Sequence, residues 1–216
     1  VIHPVTLGLK QELIYFSKEC SSAGFVKATD GNLSVRTRKN LILSTATNTR
    51  KSRIKPGDIV KTDLKGKKIS GNRKVSTELK LHLYIYSNRK DVNAVIHTHP
   101  LYASAFAAAG RAINRIILPE FYMQIGGIPL AKFAVPSTDE VPESIAPYIE
   151  KHNVILLQNH GLVAFGKTLE EAYLLTEKAE QYAQILLLTK ILGGAKELTP
   201  AQLKKLDQLK STDKKK

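Results

Sequence analysis

Cysteine, methionine and tryptophan are nearly missing: the 216 residues hold one, one and none. The lone thiol, Cys20, excludes an internal disulfide and fits a reducing compartment. It falls in a helical pattern, where a buried spectator is a simpler reading than a nucleophile. No run of 18 apolar residues exists, so no membrane-spanning helix is expected. The opening Val1-Ile2-His3-Pro4 offers no basic stretch leading into an apolar one, and no signal peptide is expected. These absences together predict a cytoplasmic protein. Acidic residues are also scarce, 19 against 33 Lys and Arg, which leaves a formal charge of +14. Such an excess suits nucleic acid, an anionic surface or a small anionic substrate. Aromatics are only 6% of the chain and do not interleave with the basic clusters, as a single-strand binder requires. No helix-turn-helix, zinc-finger or RNA-recognition pattern is present, so neither nucleic acid nor membrane is expected as a partner. Two readings of the charge remain: a solvated basic surface, or a rim that draws in a phosphorylated substrate.

What is present is an ordinary globular composition, 43% apolar and 24% charged, with no internal repeat and no second compositional regime. One domain over residues 1–216 is expected, its basic end from 196 to 216 partly disordered. Helical and strand patterns alternate along the chain. An amphipathic helix is predicted over Thr6 to Ala23, stopped at Gly24. The stretch from Asp30 to Arg36 reads as a glycine turn entering a strand, with Leu41 to Ser44 as the return strand. A further strand covers Ile59 to Thr62. Ser76 can cap a helix running to Tyr86, and Val92 to Thr98 reads as a buried strand. A helix over Ala103 to Ala109 precedes a strand or extended segment from Ile116 to Tyr122. Leu130 to Val135 is a strand and Asp139 to Glu150 a helix. Strands over Asn153 to Leu157 and Leu162 to Phe165 flank a tight turn, Gln158-Asn-His-Gly161. Thr168 caps a long helix reaching about Leu192, its Glu170 and Glu171 favouring the dipole. A short helix over Pro200 to Leu209 follows. The expectation is an α/β fold: a mixed sheet with helices packed on it.

The stretch that carries the chemistry is Asn93-Ala-Val-Ile-His-Thr-His-Pro100. Side chains alternate faces along a strand, so His97 and His99 point the same way as Val95, while Ala94 and Ile96 face the other side. Two imidazoles at a strand end make half of a zinc site; the bland alternative is two polar side chains bonded to water and backbone. His160, presented by its tight turn, adds a third imidazole, and three leave one position open on zinc. Glu78 lies at a loop-to-helix junction, where a carboxylate can shuttle protons, especially if partial burial raises its pKa. Simple helix capping is the alternative for Ser76 to Glu78. His82, one turn on, is a ligand, a supporting partner, or a packed or capping histidine. Gly31-Asn32, Thr47-Asn48 and Ser76-Thr77 are turns rich in hydroxyls, amides and backbone N–H groups. Such groups suit a phosphate that arginine does not clamp, and Asn48 is the residue of its loop that best tolerates left-handed backbone.

Taken jointly, Gly31-Asn-Leu-Ser-Val-Arg36, Ser76-Thr-Glu78 with His82, the His-x-His strand, Gln158-Asn-His-Gly161 and the helix after Thr168 resemble the class II aldolase/adducin family. The resemblance runs from the first helix to about Gly194. It implies a three-layer α/β fold with a largely antiparallel sheet. It implies one Zn2+ per chain held by His97, His99 and His160. Glu78 is then the catalytic acid/base, itself a zinc ligand when substrate is absent. Gly31, Asn32, Ser76 and Thr77 match phosphate-site positions, and the aldolases' remaining phosphate loop falls on Thr45-Ala-Thr-Asn48, giving roles to Thr47 and Asn48. Pro and Gly of that loop are replaced here by Ala46 and Asn48. Tyr122 corresponds to a tyrosine that reaches a neighbouring subunit's site, which implies a homotetramer with sites at subunit interfaces. The aldolases' C-terminal tyrosine has no counterpart, since no Tyr follows Tyr182. The implied activity is cleavage of a ketose 1-phosphate of the L-fuculose 1-phosphate kind to dihydroxyacetone phosphate and an aldehyde through an enediolate. Related dehydratases and decarboxylases share the pattern; Glu78 argues against the 4-epimerases, which carry Asp there. A non-catalytic adducin-like interaction domain is the alternative from another class, and retention of all three histidines and the glutamate argues against it.

Overall fold

The computed structural model describes residues 8–213. In helix α1 (Leu9–Ser22), Leu13, Phe16, Ser17 and Cys20 recur at helical spacing and are buried. Beyond Gly24 the chain enters strand β1 (Asn32–Arg36), returns through β2 (Ile42–Thr45) and continues in β3 (Ile59–Thr62) and the short exposed edge strand β4 (Lys68–Ser70). Helix α2 (Leu79–Asn88) crosses to β5 (Ala94–Thr98), which leads into α3 (Leu101–Ala108) and α4 (Pro119–Gln124). Strand β6 (Leu130–Ala131), α5 (Glu140–Ile145), β7 (Val154–Leu157), β8 (Gly161–Gly166), the long α6 (Leu169–Thr189) and α7 (Pro200–Asp213) complete the order.

The strands form one sheet in the order β4-β3-β2-β1-β5-β8-β7-β6. Every pairing is antiparallel except β6 with β7. Strands β5 and β8 lie at its centre and are buried along their whole length, so they read as continuous apolar runs rather than as alternating ones. Alternation still sorts the faces. Val95, Val163 and Phe165 pack with α2 and α5. Ala94 and Ile96 pack with α1 and the start of α6, and Leu162 and Ala164 with α3, α4 and the rest of α6. The result is a three-layer α/β/α fold of the mixed, largely antiparallel kind the sequence predicts. No helix among the described residues is long and apolar enough to cross a membrane.

Several expected elements differ. The segment expected as a strand or extended over Ile116 to Tyr122 is extended at Leu118 and opens α4 at Pro119, the first helical position, where the fixed φ of proline and its missing N–H favour a helix. Ser76 does not cap α2; the helix begins after Glu78, and Ser76 Oγ accepts from the Glu78 N–H at 3.4 Å. The helix expected over Asp139 to Glu150 stops at Ile145, and the strand expected over Leu130 to Val135 holds only two residues. The helix expected over Pro200 to Leu209 runs on to Asp213. Its Asp207 and Lys210 are held by Tyr122 on α4. Residues 1–7 and Lys214 to Lys216, including the start of the predicted first helix, lie outside the described residues.

Candidate metal centre and substrate cleft

The site grows from the register of the three central strands. Asn32 of β1 pairs with His97 of β5, and His97 pairs on its other side with Val163 of β8. His99 follows the end of β5, and His160 precedes the start of β8. The turn between β7 and β8 is sharp: the His160 N–H bonds the Leu157 carbonyl at 3.0 Å, and Asn159 takes left-handed backbone at φ +56. That folds His160 back over the ends of β5 and β8. Two glycines permit the closeness. A Cβ on Gly161 would lie 2.5 Å from both His99 Cδ2 and the Thr98 carbonyl oxygen. A Cβ on Gly31 would lie 2.6 Å from the His97 carbonyl oxygen, at a backbone φ of +66 that side chains disfavour.

The three imidazoles predicted from the sequence converge. His97 Nε2 is 3.2 Å from His99 Nε2 and 3.2 Å from His160 Nε2. A tetrahedral ion with bonds of about 2.0–2.1 Å holds its ligand atoms roughly 3.3–3.4 Å apart, so these separations match one edge length. His97 Nδ1 donates to the Leu162 carbonyl at 3.0 Å. A carbonyl only accepts, so the proton sits on Nδ1 and Nε2 turns its lone pair into the cluster. Burial lowers the pKa of His97 well below its ordinary value, and burial also lowers that of His99. The bare His97 Nε2 thus faces the ring nitrogens of His99 and His160 at 3.2 Å, and three imidazole nitrogens this close form a donor set that fits a divalent metal. Asp30 stands 4.0 Å from His99 Nδ1 on the outer side.

Glu78 completes the cluster. Its Oε1 is 3.1 Å from His160 Nε2 and 3.7 Å from His97 Nε2, and its Oε2 accepts from the Asn32 amide at 2.7 Å. Burial alone raises its pKa, as the sequence reading anticipated. The hydrogen bond with His160, the electrostatic pull of the neighbouring imidazoles and the Asn32 amide outweigh burial, and the carboxyl is held well below the usual carboxylate range. Glu78 is therefore ionised, and the condition of a raised pKa is not met. Behind it, His82 is fully buried, its Nδ1 2.7 Å from Ser34 Oγ, which in turn bonds the Tyr86 hydroxyl at 2.7 Å. His82 is thus a packed histidine.

A cleft of about 230 Å³ opens beside this cluster. Gly31, Asn32, Thr47, Asn48, Ser76, Thr77, Glu78 and His99 all line it, so the phosphate positions read from the sequence come together in space. Asn48 takes the left-handed conformation expected of it, φ +52. Arg73 braces that turn, bonding the Thr47 and Asn48 carbonyls while its other nitrogen pairs with Asp58 at 2.7 Å. Asp30, Lys51 and Ser137 also line the cleft and were not singled out. Ser137 reaches Thr77 Oγ1 at 2.7 Å from a left-handed turn of its own, and Lys51 lay within a basic run that offered no reason to choose it. Tyr122 is not in this cleft; its hydroxyl donates to Asp207 at 2.8 Å on an exposed face of the same chain.

Residues 11–187 match the family model described as Class II Aldolase and Adducin N-terminal domain. The chain belongs to this family. It is 30% identical over 200 residues to the 5-deoxy-D-ribulose 1-phosphate aldolase of Bacillus thuringiensis serovar kurstaki, covering 91% of this chain and 92% of that one. It is 37% identical over 161 residues to an L-fuculose phosphate aldolase of Methanococcus maripaludis, covering 74% and 86%. A solved L-fuculose 1-phosphate aldolase superposes with a TM-score of 0.85 at 30% identity, over 93% and 94% of the two chains. The fold, the histidine cluster and these relatives agree on a class II aldolase, a metal-dependent lyase.

Proposed function

We propose that the chain is a zinc-dependent aldolase that cleaves a ketose 1-phosphate to dihydroxyacetone phosphate and an aldehyde. The observation that carries this reading is the approach of His99 and His160 Nε2 to within 3.2 Å of His97 Nε2, with the ionised Glu78 carboxylate beside them at a hydroxyl-rich cleft. Zinc, held by the three imidazoles, would supply Lewis-acid polarisation of the substrate carbonyl. The chain's own residues do the rest. The N–H, amide and hydroxyl groups of Gly31, Asn32, Thr47, Asn48, Ser76 and Thr77 hold the phosphate. The C3–C4 bond breaks as the C4 hydroxyl gives up its proton, and its electron pair passes into the carbonyl to give an enediolate. The Glu78 carboxylate would take up the proton that leaves the C4 hydroxyl and return it to C3, the carbon that becomes part of dihydroxyacetone phosphate, so that proton loss and gain balance. Tyr122, which lies outside its own chain's cleft, would serve the C4 oxygen in a neighbouring subunit of a homotetramer. The single thiol and the absence of a spanning helix among the described residues support a cytoplasmic setting.

Two substrates have specific support. An L-fuculose 1-phosphate-like ketose is favoured by the superposed structure. A 5-deoxypentulose 1-phosphate is favoured by the Bacillus relative, which matches over 92% of its own length. Cleavage of the first releases lactaldehyde and of the second acetaldehyde. A coupled assay for dihydroxyacetone phosphate with both, alongside metal analysis, tests the reading. Expected are about one zinc per chain and release abolished by chelation. A zinc-loaded protein that releases dihydroxyacetone phosphate from neither ketose overturns the aldolase assignment of substrate. Failure to retain zinc at all overturns the metal site.

A further inference from the structure

Among the residues that line the cleft, Lys51 is the single lysine or arginine. It opens the 3-10 turn Lys51–Arg53, packed against α1, and only 2% of it is exposed. Its Nζ donates to the Thr29 carbonyl at 2.8 Å. An ammonium carries three N–H donors, so that bond leaves two. Among the described residues no carboxylate forms an ion pair with it. A buried charge without a paired counter-ion is unfavourable, and here the charge adjoins a cavity whose other phosphate-side groups are neutral. Bonds from neutral N–H and O–H donors to a phosphate oxygen are already charge-assisted by the anion, and an ammonium adds a full opposite charge that a free hydroxyl in the phosphate's place would not draw on.

We propose that Lys51 is the specificity-determining charge of the cleft: it pairs with the substrate's phosphate and separates phosphorylated ketoses from free ones. The proposal rests on the cleft being a ketose phosphate site. Burial depresses the Lys51 pKa to about 8, against the opposing pull of Asp30 and Glu78. A phosphate in the cleft would add to that pull. The competing account is that Lys51 merely ties its turn to Thr29.

The test uses the zinc-loaded full chain and the variants Lys51→Met and Lys51→Gln. Three quantities are read: binding of inorganic phosphate by calorimetry, kcat and KM for the ketose 1-phosphate, and kcat/KM for the corresponding free ketose. Expected are a KM raised roughly tenfold or more with kcat within about threefold, phosphate binding weakened in step, and kcat/KM for the free ketose unchanged. An equal loss for phosphorylated and free substrate would mark Lys51 as a brace and overturn the proposal. So would phosphate binding that matches the wild type. Should Lys51→Met not fold, Lys51→Gln retains a donor for the Thr29 carbonyl. In the wild-type chain, inorganic phosphate should slow acetylation of Lys51 relative to exposed Lys55, read by mass spectrometry; equal rates with and without phosphate overturn the proposal without any variant. A wild-type chain that binds phosphate yet cleaves no ketose phosphate would sink the aldolase substrate reading instead, and leave the Lys51 comparison to stand on phosphate binding.

Discussion

Both oxygens of Glu78 are engaged, one by the Asn32 amide at 2.7 Å and the other by His160 at 3.1 Å. The carboxylate is therefore aimed as well as ionised, and its role is separable from that of the histidines. Glu78→Gln keeps the shape and removes the proton carrier, so kcat should fall by about 10²–10⁴ while metal analysis still finds close to one zinc per chain. A variant with near-normal kcat would remove Glu78 from proton transfer. His82 makes a different prediction, about stability. Burial pushes its pKa down to about 4 from 6.5, against the pull of Glu78. The unfolded chain takes up this proton first, so stability that is complete above about pH 6.5 declines as pH falls toward 4, by on the order of 3 kcal/mol across the window. In the metal-stripped protein, urea titrations at about pH 7 and about pH 5 should show a smaller loss for His82→Gln than for the wild type. Equal losses would mean that His82 carries none of the acid sensitivity.

At the scale of elements, the site was more legible than the frame around it. His97, His99, Glu78 and His160 stand in short stretches where residue type, alternation and turn chemistry agree, and Asn48 takes the backbone its side chain favours. The face assignment within β5 also follows from alternation alone, since Val95 packs with one layer and Ala94 and Ile96 with the other. What was not legible depended on contacts distant in sequence. The apolar run at Ile116 to Leu118 has strand character, but Pro119 starts a helix that packs Phe121 flat on Tyr182 of α6, ring centroids 3.5 Å apart. Lys51 was one cation in a basic run, and only the fold turns it inward. Close packing of elements also sets a prediction. A methyl group at Gly161 would press on the His99 ring and the Thr98 carbonyl at 2.5 Å, so Gly161→Ala should displace His99 and weaken zinc binding by roughly tenfold or more. Competition with a chelating dye would measure it; unchanged affinity would show that the strand ends can spread without disturbing the ligands.

For the whole molecule the formal charge of +14 has to be reconciled with a cleft lined mostly by neutral groups. A basic exterior raises the local concentration of a dianionic substrate over about a Debye length, roughly 10 Å at 0.1 M salt. KM for the ketose phosphate should accordingly rise several-fold between about 20 and about 200 mM salt, with kcat little changed. Steady-state kinetics across that range would check it, and a flat KM would assign the charge to solubility alone. A last consequence concerns time. His97 and His160 stand 63 positions apart in the chain, and the strand that carries Asn32 must add to the far side of β5. Closing loops of that length is slow and comes before any reward in contacts. No local segment can chelate a metal by itself, unlike a short finger whose ligands lie a few residues apart. An ion held by His97, His99 and His160 would enter after the central strands have zipped, sealing a finished sheet instead of seeding one.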